Sequence, residues 1–285
     1  MATATANTRV PASPGVALAT LPPGATPEPP SPPQPTATLD LTPSPTIEID
    51  PTYLYLLTVT PTPTPDPYSA SIRIYAPGPM SKVISPIDLR AFIETRFAGP
   101  AQVELYGEDG RLLYRKTLRT YSFDGQDARL ALLAPFEVHA AGELGRLQIS
   151  TLDANQRVTA LSSVHLLLLS SGDNQITPAG DLREAVTVDA PAANAEVFGG
   201  QVNVAGKMQP QNKLPAFVEL VTADGQALIS RVLMLAPPDG TSQPFQTSLP
   251  YRVESRTPAL LVIRQSDQRV SGPFYLYSQP IFLNP

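Results

Sequence analysis

Two histidines, His139 and His165, and no cysteine stand in this chain of 285 residues. A Ser-His-Asp triad needs an imidazole held between a hydroxyl and a carboxylate on a rigid frame. Ser162 and Ser163 lie near His165, in a run that ends Val164-His-Leu-Leu-Leu-Leu169. That run reads as a strand, whose adjacent residues point to opposite faces, so these groups are not expected to converge. His139 follows Pro135-Phe-Glu-Val in a loop. Structural zinc takes imidazole or thiolate ligands, more than this composition supplies. Asp173, Asn174, Asp181 and Glu184 are the nearest thing to a calcium cluster, but no Asp-x-Asp-x-Asp-Gly run accompanies them. Turn chemistry accounts for the four. The expectation is no catalytic residue, no metal ligand and no cofactor.

Carboxylates and guanidinium groups remain. Glu104 and Glu219 recur at equivalent places in two similar segments, as do Asp109 and Asp224. A glycosidase needs two carboxyl groups flanking one bond, whereas these pairs are divided between the segments. Each has a structural reading: Asp109-Gly110 and Asp224-Gly225 form tight turns, and the glutamates lie on the exposed face of a strand. Arg111, Arg115, Lys116 and Arg119 form a basic cluster that the second segment lacks, having Gln226, Ser230, Arg231 and Met234 there. Arg111 and Arg115 share a face by alternation, and Arg119 joins them if the strand runs on. Forked guanidinium groups suit carboxylate or phosphate. Arg111, Arg115 and Arg119 are therefore the expected anion-binding residues, against a plain alternative of a charge-protected sheet edge. Phe274, Tyr275 and Tyr277, with Tyr251, suggest a sugar platform, but their alternation favours one core row and one outer row.

What positions these residues is a repeat. Ile72-x-Ile74-x-x-Pro77 corresponds to Val186-x-Val188-x-x-Pro191, and Val103-Glu-Leu105 to Val218-Glu-Leu220. Pro135-Phe-x-Val138 corresponds to Pro250-Tyr-x-Val253. The offset is 114 residues at the start, 115 through the middle and 112 at Arg157-Val158 and Arg269-Val270. Small changes of this kind are loop insertions between fixed elements. Within each copy, about seven short runs alternate or are apolar, with turns every 8–12 residues. No stretch has helical periodicity with caps. The fold class expected is all-β: two tandem immunoglobulin-like antiparallel sandwiches, residues 70–169 and 186–285, joined by a polar linker at 170–185. Strands are expected near 72–75, 87–93, 101–106, 111–118, 128–133, 145–151 and 160–169. In the second copy they fall near 186–189, 202–206, 216–222, 226–235, 245–249, 259–264 and 274–283.

The pattern from Ile72 through Val83-x-Ser85-Pro86 to Leu89, followed by Val103-Glu-Leu-x-x-x-Asp-Gly-x-x-Leu113, resembles the immunoglobulin-like domain of bacterial spore-germination proteins. Val270-Ser-Gly-Pro-Phe274 and Pro280-Ile281 are similar to that family's last strand. The family's Gly-x-Ala survives only in part, as Val204-Ala-Gly206, and fails at Arg90-Ala-Phe92. The resemblance implies a sandwich appended to envelope proteins, without catalysis. It transfers no binding residue.

Residues 1–69 differ in kind. Up to residue 67 they hold 17 of the chain's 34 prolines and 14 threonines. Such a segment has too little to bury to offset the entropy of ordering, and reads as a disordered stalk. Thr52 to Val59 is an apolar interruption that suits a sticky piece of linker or a short docking strand. Only Arg9 opposes five acidic residues there, so the rest of the chain, at a total net charge of −5, is nearly neutral. No strong field for nucleic acid follows. No apolar run is long enough to cross a membrane as a helix, and the start does not read as a signal peptide. A Thr/Pro stalk fits the extracellular space or the cell envelope, with an export signal or lipid anchor upstream. The expected function is a non-catalytic display or binding protein that contacts a wall polymer or an envelope protein. Scaffolding of an envelope complex is the alternative, and a hydrolase a distant third.

Overall fold

The computed structural model describes residues 69–94, 100–118 and 128–285. The expectations for the stalk, for the strand at Thr52–Val59 and for Arg119 fall outside them. The described residues are all-β, with sixteen strands and no helix. The first copy runs β1 (Ile72–Ala76), β2 (Lys82–Ile84), β3 (Ile87–Ile93), β4 (Ala101–Tyr106), β5 (Leu112–Leu118), β6 (Ala128–Ala134), β7 (Gly142–Leu152) and β8 (Val158–Leu169). The second runs β9 (Val186–Ala190), β10 (Glu196–Val197), β11 (Gln201–Met208), β12 (Ala216–Thr222), β13 (Ala227–Leu233), β14 (Gln243–Pro250), β15 (Thr257–Ser266) and β16 (Pro273–Leu283).

Alternation explains the outer strands. In β3, Ile87, Leu89, Ala91 and Ile93 point inward while Asp88 and Arg90 face water. In β11, Val202, Val204, Gly206 and Met208 are buried and Gln201, Asn203 and Lys207 exposed. The three-stranded sheet β1-β3-β6 covers one core, which joins Ile74 and Leu89 to Leu105, Ile149 and Leu166 across the sandwich. The sheet β14-β11-β9 covers a second core, containing Val204, Leu220, Ile263 and Ile281. The peptides before Pro77 and Pro191, equivalent in the repeat, are both cis.

The other half of each sandwich belongs to a single sheet. Its order is β13-β12-β15-β16-β8-β7-β4-β5, with β10 on β16 and β2 on β8. The last strands of the two copies meet in antiparallel register at Leu276↔Leu161 and Tyr277↔Ala160. Two small strands, β2 and β10, lay outside the sequence expectations. Each runs parallel to the last strand of its own copy.

Segment 170–185 lies along the first copy. Lys82 bridges Gln175, Ser69 bridges Arg183, and Thr177 Oγ1 donates to the Pro79 carbonyl at 2.7 Å. Gly78 sits against this segment so closely that an added Cβ would lie 1.9 Å from the Pro178 carbonyl oxygen. Only a residue without a side chain fits there.

Candidate functional site: the junction of the two copies

Where β8 and β16 meet, each copy laps a hairpin over the other. The β15–β16 hairpin reaches the outer face of the first copy, which carries Arg146 on β7 and His165 opposite it on β8. Arg146 is 1% exposed. Its Nη1 donates to Asp267 Oδ2 at 3.2 Å and to the Val270 carbonyl at 2.8 Å, and its Nη2 to the Ser271 carbonyl at 3.1 Å. The guanidinium also lies over the Tyr106 ring, 5.1 Å from its centroid. His165 Nε2 approaches both Asp267 oxygens, at 2.9 and 3.0 Å, and a carboxylate only accepts, so that nitrogen carries the proton. The imidazole stacks on Phe274 at 4.9 Å. Burial pushes the Asp267 carboxyl upward, but the His165 N–H and the Arg269 and Val270 amides outweigh it and hold the group at about 2. A buried charge tolerates its surroundings only when paired and hydrogen-bonded; the carboxylate meets both conditions, while Arg146 Nε has no hydrogen-bond partner among the described residues.

The β7–β8 hairpin reaches the other way. Arg157 binds Asp153 within its own turn and donates through Nη1 to the Thr222 carbonyl, and Asn155 Nδ2 donates to the Ala223 carbonyl at 3.2 Å. Ser278 Oγ donates to the Thr159 carbonyl at 2.7 Å. The two Asp-Gly turns sit at this joint. Gly110 and Gly225 have φ of 81° and 84°, which favours glycine. A Cβ on Gly110 would lie 3.8 Å from Ser271, and one on Gly225 would lie 3.9 Å from Arg157. Each turn therefore touches the last hairpin of the other copy.

Of the expected anion-binding arginines, Arg111 and Arg115 each hold a carboxylate. Arg111 donates to Asp109 at 3.0 Å and to both Glu143 oxygens at 2.8 Å. Arg115 Nε donates to Glu104 Oε1 at 2.7 Å. Glu104 itself is only 5% exposed, and Gln148 donates to its other oxygen at 2.7 Å. The reading of Glu104 and Glu219 as exposed residues is thus corrected. Both stand on inner strands of the shared sheet, and Glu219 accepts from Arg264 and Ser230. An anion at Arg111 or Arg115 would meet a carboxylate already bound there. His139 is exposed in its loop. Among Asp173, Asn174, Asp181 and Glu184, Asn174 accepts from the Ile84 amide, Asp181 from Arg183, and Glu184 from Ser71 and Tyr275. Tyr275 takes the core side of β16, and Phe274 packs at the margin of the same core while stacking on His165 of the first copy.

Beyond Leu161 and Leu276 the paired strands part, and a cleft of about 450 Å³ opens between the copies. Ser162 to His165 and Phe274 to Leu276 line it, with Ile72 and Met80, the end of the linker, Gln209, and Gln211 to Lys213. Its carboxylates are occupied. Arg183 holds the Asp181 carboxyl down at about 2. Glu184 accepts from the Ser71 amide at 3.0 Å and from the buried Tyr275 hydroxyl. Burial, and then the neighbouring Glu184 charge, push that hydroxyl well above its ordinary value. Lys213 and Arg269 stand at the mouth with no ion pair among the described residues, and the Arg269 side chain reaches only the Met80 sulfur, at 3.5 Å. Ser162, Ser163, His165, Asp181, Glu184, Phe274 and Tyr275 were each considered in the sequence, but nothing there joins them into one site, because the cleft exists only once the copies are joined.

No family model matches the sequence, and no curated protein matches it. Solved structures do. The fibronectin(III)-like modules of Clostridium thermocellum CbhA match at 13% identity and a TM-score of 0.23, over 75% of this chain and 93% of that one. Red sea bream transglutaminase matches at 9% identity and a TM-score of 0.28, over 76% and 32%. Extracellular domains 3–5 of Drosophila OTK match at 13% identity and a TM-score of 0.21, over 76% and 67%. No function passes from these proteins to this chain.

Proposed function

We propose that this protein is a non-catalytic binding module of the cell envelope or the extracellular space. Its two sandwiches act as one body, the cleft between them is the binding surface, and the Thr/Pro-rich residues 1–69 are a tether. The partner is a wall polymer or an envelope protein. The observation that carries this reading is the Arg146–Asp267–His165 network, buried between the copies. It commits both copies to one arrangement and so to one composite surface. Ligand sites favour such interfaces, and 450 Å³ lies within their usual range of roughly 300–1,000 Å³. The resemblance of the Ile72–Leu113 motifs to the spore-germination immunoglobulin-like family suits an envelope location.

Scaffolding is the second reading, favoured by the outer edge of β13. This strand ends the shared sheet, and Val232 on it and Met234 just after it are 53% and 81% exposed. An uncovered apolar edge invites another strand.

Capture from intact envelopes tests both readings. The immobilised chain should retain one polymer class, and Gln211→Trp, which fills the mouth of the cleft, should abolish retention. One dominant protein, captured equally by the parent and by Gln211→Trp, would favour the edge. No capture at all would count against either role.

A further inference from the structure

We infer that the cleft takes an acidic sugar unit, with its carboxylate or phosphate held between Lys213 and Arg269. The inference rests on the cleft being the binding surface and adds the chemistry of what it binds. Charge matching comes first. Asp181 and Glu184 are consumed by Arg183, Ser71 and Tyr275. Arg183 is in turn paired with Asp181, and Glu184 keeps its charge against neutral partners, so the cleft carries one excess positive charge, with Lys213 and Arg269 as its cations outside any ion pair among the described residues. A guanidinium fork and an ammonium together suit one oxyanion.

The body of the ligand is set by the walls. Met80, Phe274 and Leu276 offer apolar surface, as the C–H face of a sugar ring requires. Hydroxyl recognition comes from Gln211 and Ser163. Ser163 lines the cleft, is 9% exposed, and has a hydroxyl with no hydrogen-bond partner among the described residues. A buried hydroxyl almost always has a partner, and one left without gains one from any ligand group that reaches it. These two observations, unpaired cations at the mouth and an unpaired hydroxyl in the wall, are independent of each other.

Titration calorimetry of the full chain at low ionic strength, with D-glucuronate, glucose 6-phosphate and glucose, tests this. At least one of the two anions should bind and glucose should not. The ratio of the two affinities tells whether carboxylate or phosphate is the natural group. Lys213→Gln with Arg269→Gln should weaken binding by about tenfold or more, as loss of charge-assisted bonds does. Lys207→Ala with Arg252→Ala removes the same charge from elsewhere on the second copy and should leave affinity unchanged. Ser163→Ala should weaken binding without lowering the Tm of the free protein, since a hydroxyl without a partner contributes nothing to the unliganded fold. Equal binding of glucose, or full affinity in the Lys213/Arg269 variant, would overturn the inference. So would failure of the folded parent to bind either anion. In that last case envelope capture that still depends on Gln211 would leave the cleft as the binding surface with another ligand class. Capture that does not depend on Gln211 would remove the cleft reading as well.

Discussion

Replacing Asp267 by alanine isolates the contribution of the joint. The substitution leaves the Arg146 side chain, 2% exposed, without its carboxylate, and leaves the His165 N–H without its acceptor. Breaking a buried ion pair by removing one partner costs about 3–5 kcal/mol. Arg146 keeps the Val270 and Ser271 carbonyls, which places the expected loss near the lower end, about 3 kcal/mol. For a folded unit of this size that corresponds to a fall of roughly 6–12 °C in Tm. Thermal and urea unfolding followed by circular dichroism measure it. Arg146→Met combined with Asp267→Leu should recover at least half of the loss, because an apolar pair avoids the stranded charge. If Asp267→Ala lies within about 0.5 kcal/mol of the parent, as an ordinary surface change would, the network does not hold the copies together.

The same carboxyl predicts acid sensitivity. Its value in the fold, about 2, lies below the ordinary 3.8, so its contribution is complete above pH 4 and disappears as the pH falls through 2. The loss should be about 2 kcal/mol, and it should be absent from the Arg146→Met/Asp267→Leu variant in urea melts across that window. Arg115→Ala should lower stability by more than an exposed strand position usually does, because Glu104 beneath it is 7% exposed in its side chain and loses its guanidinium partner while keeping Gln148. Arg115→Ala with Glu104→Gln should restore most of this in the same assay. Gly110→Ala and Gly225→Ala should each cost about 1–2 kcal/mol, from φ values of 81° and 84°. An unequal pair of losses would mean that the two turns are not equivalent.

Much of the fold was legible because its signals are local. Alternation in Ile87–Ile93 and Asp-Gly at 109–110 and 224–225 mark strands and turns without reference to anything distant. β2 and β10 escaped because strands of three and two residues are too short to alternate, and they pair with strands far along the chain. The site was not legible. In β7, Arg146, Gln148 and Ser150 alternate with Leu147 and Ile149, which reads as an exposed face, yet every residue from Gly145 to Leu152 is buried. The cover comes from the second copy, and no pattern within β7 announces it. One trace was present. The repeat places Tyr277 where the first copy has His165, and Arg146 has no charged counterpart on β15. Positions at which two copies of one domain differ in polarity are where their contact with each other breaks the symmetry.

The central claim is that the two copies form one rigid body, and a distance distribution across the shared sheet tests it most directly. The chain has no cysteine, so Lys116→Cys on β5 and Arg231→Cys on β13, both exposed and at opposite ends of the sheet, accept spin labels without competition. Pulsed electron–electron double resonance should give one narrow distance distribution, unchanged between low and high salt because the joining charges are buried. A broad or multiple distribution in the parent protein would contradict the account.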